Sequence, residues 1–202
     1  MRIGFSLFFV GLFLWGCNHK EFNSESDLFD YIKDGANGYS HSKTINGIDF
    51  NLMYRPTDAI VNQELGGEIS EEKVNKLRNK YKNYMYFNLR MGKNNKELLS
   101  AQPKSRDEFG AMVSQLAFGM KDKVYLYTPS LDTLEMTDFI YPRMYGMTDA
   151  TTIMFVFPRD DKYLNEEYLN FSIQDLGLYT GDVRFKVPVD KLLKEPTLSF
   201  KN

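Results

Sequence analysis

The chain contains few side chains that could carry out nucleophilic or metal chemistry. Its single cysteine is Cys17, and its two histidines are His19 and His41. A serine triad needs a histidine base, and a zinc site needs three or four His, Cys or carboxylate ligands. Only His41 lies beyond the N-terminal segment, in a polar strand where we expect a surface or edge residue. We therefore predict no metal and no other cofactor.

Carboxylate chemistry remains open, because paired Asp and Glu residues hydrolyse glycosides without histidine. Asp138 shares strand parity with Leu134, Met136 and Ile140, which predicts that its side chain points inward. We favour the alternative, in which Asp138 is a hydrogen-bonded structural residue or a bulge turns its side chain outward. The sequence pairs no second carboxylate with it.

Arginine recurs at the ends of predicted strands, as Arg55, Arg90, Arg143 and Arg159. If those ends converge, the guanidinium groups form a cradle for an anion or a carboxylate. Alternatively, each arginine lies separately near solvent, because antiparallel neighbours place such ends on opposite edges of a sheet. We take the four as candidate ligand-binding residues.

The N-terminal segment has the features of an export signal. Arg2 precedes an apolar run that ends at Trp15, and the chain turns polar directly after Cys17. A membrane-spanning helix needs about 20 apolar residues, so this run is too short to be one. Its length and flanks are typical of a secretory signal peptide.

Leu14-Trp15-Gly16-Cys17 resembles the lipobox of bacterial lipoproteins, although Trp15 is bulkier than is usual there. The resemblance implies that residues 1–16 are a signal peptide, that Cys17 is lipidated, and that the protein is anchored to a membrane in the cell envelope. Asn18 favours the outer membrane, on its periplasmic face or at the cell surface, if the cell has one. Lys20-Glu21 partly resembles the surface-export signal of Bacteroidota lipoproteins.

A second short motif concerns modification. Asp132-Thr133-Leu134 resembles the Asp, Ser/Thr, apolar pattern that carries O-glycans in exported proteins of the Bacteroidota. It lies in a predicted turn, and Thr133 is the candidate glycosylation site. Ordinary turn chemistry is the alternative.

Length and charge limit the possible domain organisation and the possible partners. The 202 residues carry a net charge of −2 and no long basic run, so we expect no nucleic-acid partner. We predict a lipidated tether over 17–26 and a single globular domain over 27–202, which is long enough for a substantial core.

Hydrophobic periodicity places the secondary structure. Asn46-Gly47 between alternating segments predicts a hairpin of Tyr39–Ile45 and Ile48–Tyr54. Helices are expected at 27–33, at 57–65, from Ser70, and behind Ser105 with an apolar stripe, whereas 93–104 is expected to be a polar loop. Further strands are expected at 84–91, 124–127, 134–141, 151–157, 168–174 and 183–187.

These elements predict an α+β fold, with a mostly antiparallel sheet in the C-terminal half and three or four helices mainly in the N-terminal half. The leading functional hypothesis is a non-catalytic binding or assembly module for an envelope protein or glycan. Tyr84 and Tyr86 are its candidate contacts, unless both pack under a helix. The alternative is a carboxylate-dependent hydrolase that acts on envelope glycans.

Overall fold

A computed structural model describes residues 20–67 and 69–200. The α+β prediction is confirmed: helices accompany antiparallel sheets in nearly equal proportion. Within the described residues the helices are α1 (Glu25–Lys33), α2 (Thr57–Leu65), α3 (Glu71–Tyr81), α4 (Leu98–Ala101), α5 (Arg106–Phe118) and α6 (Val189–Leu193). The strands are β1 (Glu21–Phe22), β2 (Ser40–Ile45), β3 (Ile48–Arg55), β4 (Tyr84–Lys93), β5 (Lys96–Glu97), β6 (Val124–Tyr127), β7 (Thr133–Leu134), β8 (Asp138–Ile140), β9 (Thr151–Pro158), β10 (Tyr168–Ile173), β11 (Val183–Pro188) and β12 (Thr197–Leu198).

Two antiparallel sheets face each other across the core. The larger has the strand order β2-β3-β4-β9-β8, with β5 also paired to β4, and the smaller has the order β11-β10-β6-β7. Phe171 of the smaller sheet lies 5.7 Å, centroid to centroid, from both Phe87 and Phe155 of the larger. Each such ring buries enough apolar surface to contribute roughly 2–3 kcal/mol, so this aromatic layer holds the sheets together.

The predicted hairpin is confirmed. Asn46 and Gly47 have φ of 50° and 73°, the left-handed pair that a two-residue turn requires. The alternation in β3 is also confirmed, because Phe50, Leu52 and Tyr54 are buried in the core.

The helices contribute to two separate apolar clusters. Leu28 of α1 and Leu116 of α5 enter the main core, whereas α2 and α3 pack against each other through a separate cluster. Ser70 and Ser105 cap α3 and α5 as expected. In α5, however, only Leu116 is buried, so the expected apolar stripe lies largely on the surface.

The ordered domain begins earlier than the predicted tether allows. Glu21 and Phe22 pair in parallel with Thr197 and Leu198, and α1 starts at Glu25 with Ser24 as its cap. The backbone of this segment has hydrogen-bond partners, which a free tether lacks. Cys17 and the predicted signal peptide lie outside the described residues.

Two further expectations are wrong. Residues 134–141 form two short strands in different sheets, β7 and β8, rather than one strand. Residues 93–104 contain β5 and α4, and Glu97 and Leu98 are buried there. In both places the strands formed depend on which neighbouring strand the chain pairs with. A local sequence pattern does not contain that information.

Candidate functional site

The outer face of the larger sheet carries an aromatic groove. Side chains alternate along β4, so Tyr84 and Tyr86 point away from the core that holds Met85 and Phe87. Across the strands, Tyr86 lies opposite Val156 of β9, which in turn lies opposite Asp138 of β8. This register brings aromatic, aliphatic and acidic side chains to one surface.

Helices α2 and α3 form the wall of this groove. They supply Ile60, Gln63 and Glu64 from α2, and Lys80 and Tyr81 from α3. The depression has a volume of about 490 Å³, within the range of pockets that bind small organic ligands. We call it the aromatic groove; its lining residues are Ile60, Gln63, Glu64, Lys80, Tyr81, Tyr84, Tyr86, Thr137, Asp138, Ile140, Met154 and Val156.

Tyr86 belongs to the floor of the groove rather than to its contact surface. It is only 4 % exposed, and its hydroxyl donates a 3.3 Å hydrogen bond to the carbonyl of Tyr81. Burial raises the pKa of Tyr86 well above its usual value. Tyr84 is half-buried, so of the two predicted contacts it is the one that a ligand can reach.

Fixed aromatic and apolar groups support the accessible part of the groove. The rings of Tyr81 and Tyr86 meet edge to face at 6.2 Å and 75°, a favoured geometry for aromatic pairs. Ile140 on β8 is 48 % exposed. A ligand therefore meets a firm apolar surface that needs little ordering when it binds.

Charged groups stand on the rim. Glu64 lies 3.7 Å from Lys80, and both side chains are more than half exposed. Lys80 also donates a 2.8 Å hydrogen bond to the hydroxyl of Tyr81. The rim thus offers carboxylate acceptors and an ammonium donor around the aromatic floor.

Asp138 does not point inward, and the favoured alternative, an outward side chain, describes it. Its side chain is exposed, and Oδ1 accepts a 2.8 Å hydrogen bond from the amide of Phe139. Strand parity from Leu134 to Tyr141 holds only within one strand, but the chain changes sheets between Leu134 and Asp138. The switch turns Asp138 outward to the rim of the aromatic groove.

Arg55 and Arg159 take partners within the domain rather than in a shared cradle. Arg159 binds the hydroxyl of Tyr54, the carboxylate of Glu195 and the carbonyl of Leu192. Burial opposes its charge, but Tyr54 and Glu195 outweigh burial and raise its pKa. Arg55 points to the face of β3 opposite Tyr54 and donates to Gln63 and to the carbonyl of Ala59. Burial lowers the pKa of Arg55.

Arg90 and Arg143 lie elsewhere. Arg90 pairs with Asp149 at 2.5 Å on the surface, and Arg143 stacks 5.0 Å above the ring of Tyr145. The four arginines therefore form no common anion cradle. Each arginine lies separately and contacts its own neighbours, as the alternative interpretation holds.

The remaining predicted residues stand apart from the aromatic groove. Thr133 is exposed at the start of β7. His41 lies on the edge strand β2, as expected. Cys17 lies outside the described residues. Thr133 glycosylation and Cys17 lipidation stay predictions.

The helical wall and a projecting loop carry functional residues that local sequence patterns do not reveal. Ile60, Glu64 and Lys80 show only ordinary helical patterns in sequence. In the segment 142–149, Tyr145 and Met147 are 76 % and 75 % exposed. A signal for the loop was present in Pro142 and Gly146, which flank Met144 and Tyr145.

No family model, curated protein or solved structure gives a significant match to this chain. Among residues 20–67 and 69–200, no helix is long and apolar enough to cross a bilayer. That same part of the chain brings no three His, Cys, Asp or Glu side chains together as a metal site.

Proposed function

We propose that the protein is a lipid-anchored, non-catalytic binding module of the cell envelope, and that the aromatic groove is its ligand site. The observation that carries the proposal is the accessible ring of Tyr84 beside a fixed floor of Tyr86 and Val156. Apolar concave surfaces with a few polar groups at the rim are the usual form of a binding site.

The short segment before β1 supports a function close to a membrane. Only Asn18 and His19 separate Cys17 from Lys20, where the described domain begins. An extended chain spans about 3.5 Å per residue, so lipid on Cys17 holds the domain within roughly 10 Å of the bilayer. If the cell has two membranes, we assign the anchor to the outer one, as the residue after Cys17 favours.

Among envelope ligands, the chemistry of the groove favours a glycan. A sugar ring presents an apolar face, which suits Tyr84, and peripheral hydroxyls, which suit the acceptors of Gln63, Glu64 and Asp138. A protein segment is the other candidate partner. Addition of a strand to β8 is disfavoured, because the Asp138 carboxylate already bonds the amide of Phe139 on that edge strand.

Oligosaccharides released from bacterial envelopes, titrated into the detergent-solubilised full-length protein, test this site. Tyr84→Ala removes the accessible ring, and we expect affinity to fall about tenfold, as an aromatic contact of about 1.4 kcal/mol implies. Tyr179→Ala is the matched control, since Tyr179 is 86 % exposed outside the groove. Equal affinities of the two variants would contradict the assignment.

The anchor has a separate test. Cells that express the wild-type chain or Cys17→Ala are grown with an alkyne-bearing fatty acid. We expect label on the wild type only. An unlabelled wild type, or label that survives the substitution, would contradict lipidation at Cys17.

A glycan hydrolase is the second candidate function, because Glu64 and Asp138 line the same groove. Such enzymes use two carboxyl groups about 5 to 10 Å apart. The pairing of Glu64 with Lys80 and its exposure of 52 % are unlike the sheltered setting of a general acid. Release of new reducing ends by the wild type, abolished in Glu64→Gln and Asp138→Asn, would favour hydrolysis over binding.

A further inference from the structure

A second groove lies where the two sheets expose neighbouring edge strands. Strand β2 ends the larger sheet and β11 ends the smaller one. The groove between them has a volume of about 630 Å³. We call it the edge groove; its lining residues are His41, Ser42, Lys43, Asn170, Arg184, Phe185 and Lys186.

The edge groove is cationic, although the whole chain has a net charge of −2. Lys43, Arg184 and Lys186 line it, and its lining contains no carboxylate. Four other surface depressions each carry at least one acid: Asp49 and Asp149, Glu64 and Asp138, Glu108, and Glu166, Glu167 and Asp190.

The positive charges of the edge groove are largely uncompensated. Within the described residues, neither Lys43 nor Lys186 forms an ion pair, and Arg184 lies 4.0 Å from the exposed Asp182. The two lysines instead lie over aromatic rings, Lys43 at 5.6 Å from the centroid of Phe185 and Lys186 at 4.2 Å from that of Tyr168. Such contacts orient an ammonium group without neutralising it.

Hydrogen-bonding groups accompany the charges. His41 Nε2 is buried and has no hydrogen-bond partner within the described residues, while the ring also bonds the backbone of Gly38. A buried polar nitrogen without a partner is costly, so His41 leaves a hydrogen bond unmade beside the groove. Asn170 adds a side-chain amide.

We propose that the edge groove binds a phosphate ester, with the phosphate held by Lys43, Arg184 and Lys186 and the organic group lying in the rest of the groove. Phosphate presents several acceptor oxygens and up to two charges, which match the cations and donors that line the groove. The volume exceeds that of a bare phosphate and falls in the range for small organic ligands.

This site is independent of the aromatic groove and of the anchor. It shares no lining residue with the aromatic groove, and it requires no lipid on Cys17. The ester has two chemical sources, a soluble sugar or polyol phosphate and a phospholipid headgroup, and the test separates them.

The test uses the full-length protein in phosphatidylcholine nanodiscs, observed by NMR at the His41 ring and the Phe185 amide at constant ionic strength. In one arm glycerol 3-phosphate is titrated; in the other, phosphatidylglycerol replaces part of the lipid. We expect saturable shifts at both residues, and about tenfold weaker binding in Lys43→Gln and Lys186→Gln. Lys121→Gln, which removes one charge elsewhere on the surface, is the control.

Shifts with glycerol 3-phosphate alone would assign a soluble ester, and shifts with phosphatidylglycerol would assign a lipid headgroup. Either result supports the site. Non-saturable shifts, shifts spread over the surface, or equal loss of binding in Lys121→Gln would overturn it. Both tested lysines are exposed, so unchanged resonances elsewhere show that the variants are folded.

Discussion

The amide of Ser199 donates a 2.8 Å hydrogen bond to the carbonyl oxygen of Phe22, which ties the last described strand to the first. Two residues earlier in the same parallel ladder, the amide of Thr197 donates to the carbonyl of Lys20 at 2.9 Å. Both ends of the described domain therefore lie together, and the start of the domain is fixed close to Cys17 in the chain.

The first prediction concerns orientation on the membrane. Cys17 is the one cysteine in the sequence, and lipid would block its thiol. An introduced cysteine is then the single free thiol that a fluorescent dye can label. We expect quencher-bearing lipids to quench a dye at Ser26→Cys, beside β1, far more than one at Lys96→Cys on β5, which pairs with the last residues of β4 in the larger sheet.

A flexible 20-residue linker inserted after Asn18 should abolish that difference, because about 3.5 Å per residue then allows the domain to leave the surface. If the two positions are quenched equally without the linker, the domain is not held in one orientation.

The second prediction concerns an ion pair that joins α2, α3 and β12. Arg78 donates to both oxygens of Asp58 at 2.7 and 2.6 Å, and the amide of Leu198 donates to the same carboxylate. Asp58 is 3 % exposed, so Asp58→Asn weakens buried, charge-assisted hydrogen bonds and should reduce the free energy of unfolding by about 2 kcal/mol.

Urea unfolding of the full-length protein measures this loss. Glu64→Gln is the matched control, since it breaks an exposed pair and should cost less than about 1 kcal/mol. Similar losses in the two variants would mean that burial of Asp58 does not set the strength of its interaction.

The third prediction concerns the projecting loop 142–149. Glu97 is 2 % exposed, and its carboxylate accepts hydrogen bonds from the amides of Gly146 and Thr148 and from the Thr148 hydroxyl. Glu97→Gln replaces one acceptor oxygen with a donor, so one of these bonds must be lost. We expect faster hydrogen exchange at Gly146 and Thr148 with little change at Phe87, and unchanged exchange in the loop would contradict the role of Glu97.

The fourth prediction concerns pH. Burial lowers the pKa of His41 below its ordinary value, whereas in the unfolded chain it titrates near 6.5, so the unfolded state binds more protons between those values. The stability contributed by neutral His41 is complete above about pH 6.5 and is lost as the pH falls toward the lower, folded-state pKa. In His41→Gln, the free energy of unfolding should depend less on pH over that interval. Parallel plots of unfolding free energy against pH for the wild type and the variant would contradict this.

Local patterns predicted the elements whose partners are close in sequence. The hairpin around Asn46-Gly47 and the alternation of β3 follow from turn chemistry and period-two burial. The outward turn of Asp138 does not, because it depends on which sheet the chain joins after Leu134.

The aromatic groove was predictable only in part. The parity of Tyr84 and Tyr86 on β4 was visible in sequence, but the burial of Tyr86 depends on Ile60, which reaches it through tertiary packing. The edge groove was invisible, since Lys43 and Lys186 belong to strands of different sheets. Side chains brought together from distant segments carry no shared local signal.

The most direct test of the central claim is site-specific photo-crosslinking in intact envelopes. A benzophenone amino acid replaces Tyr84 in the aromatic groove or, in a matched protein, the exposed Tyr179. We predict a discrete adduct with one glycan or protein species at position 84 and none at position 179. Adducts at position 179 alone, or the same adducts at both positions, would contradict a binding module that acts through the aromatic groove.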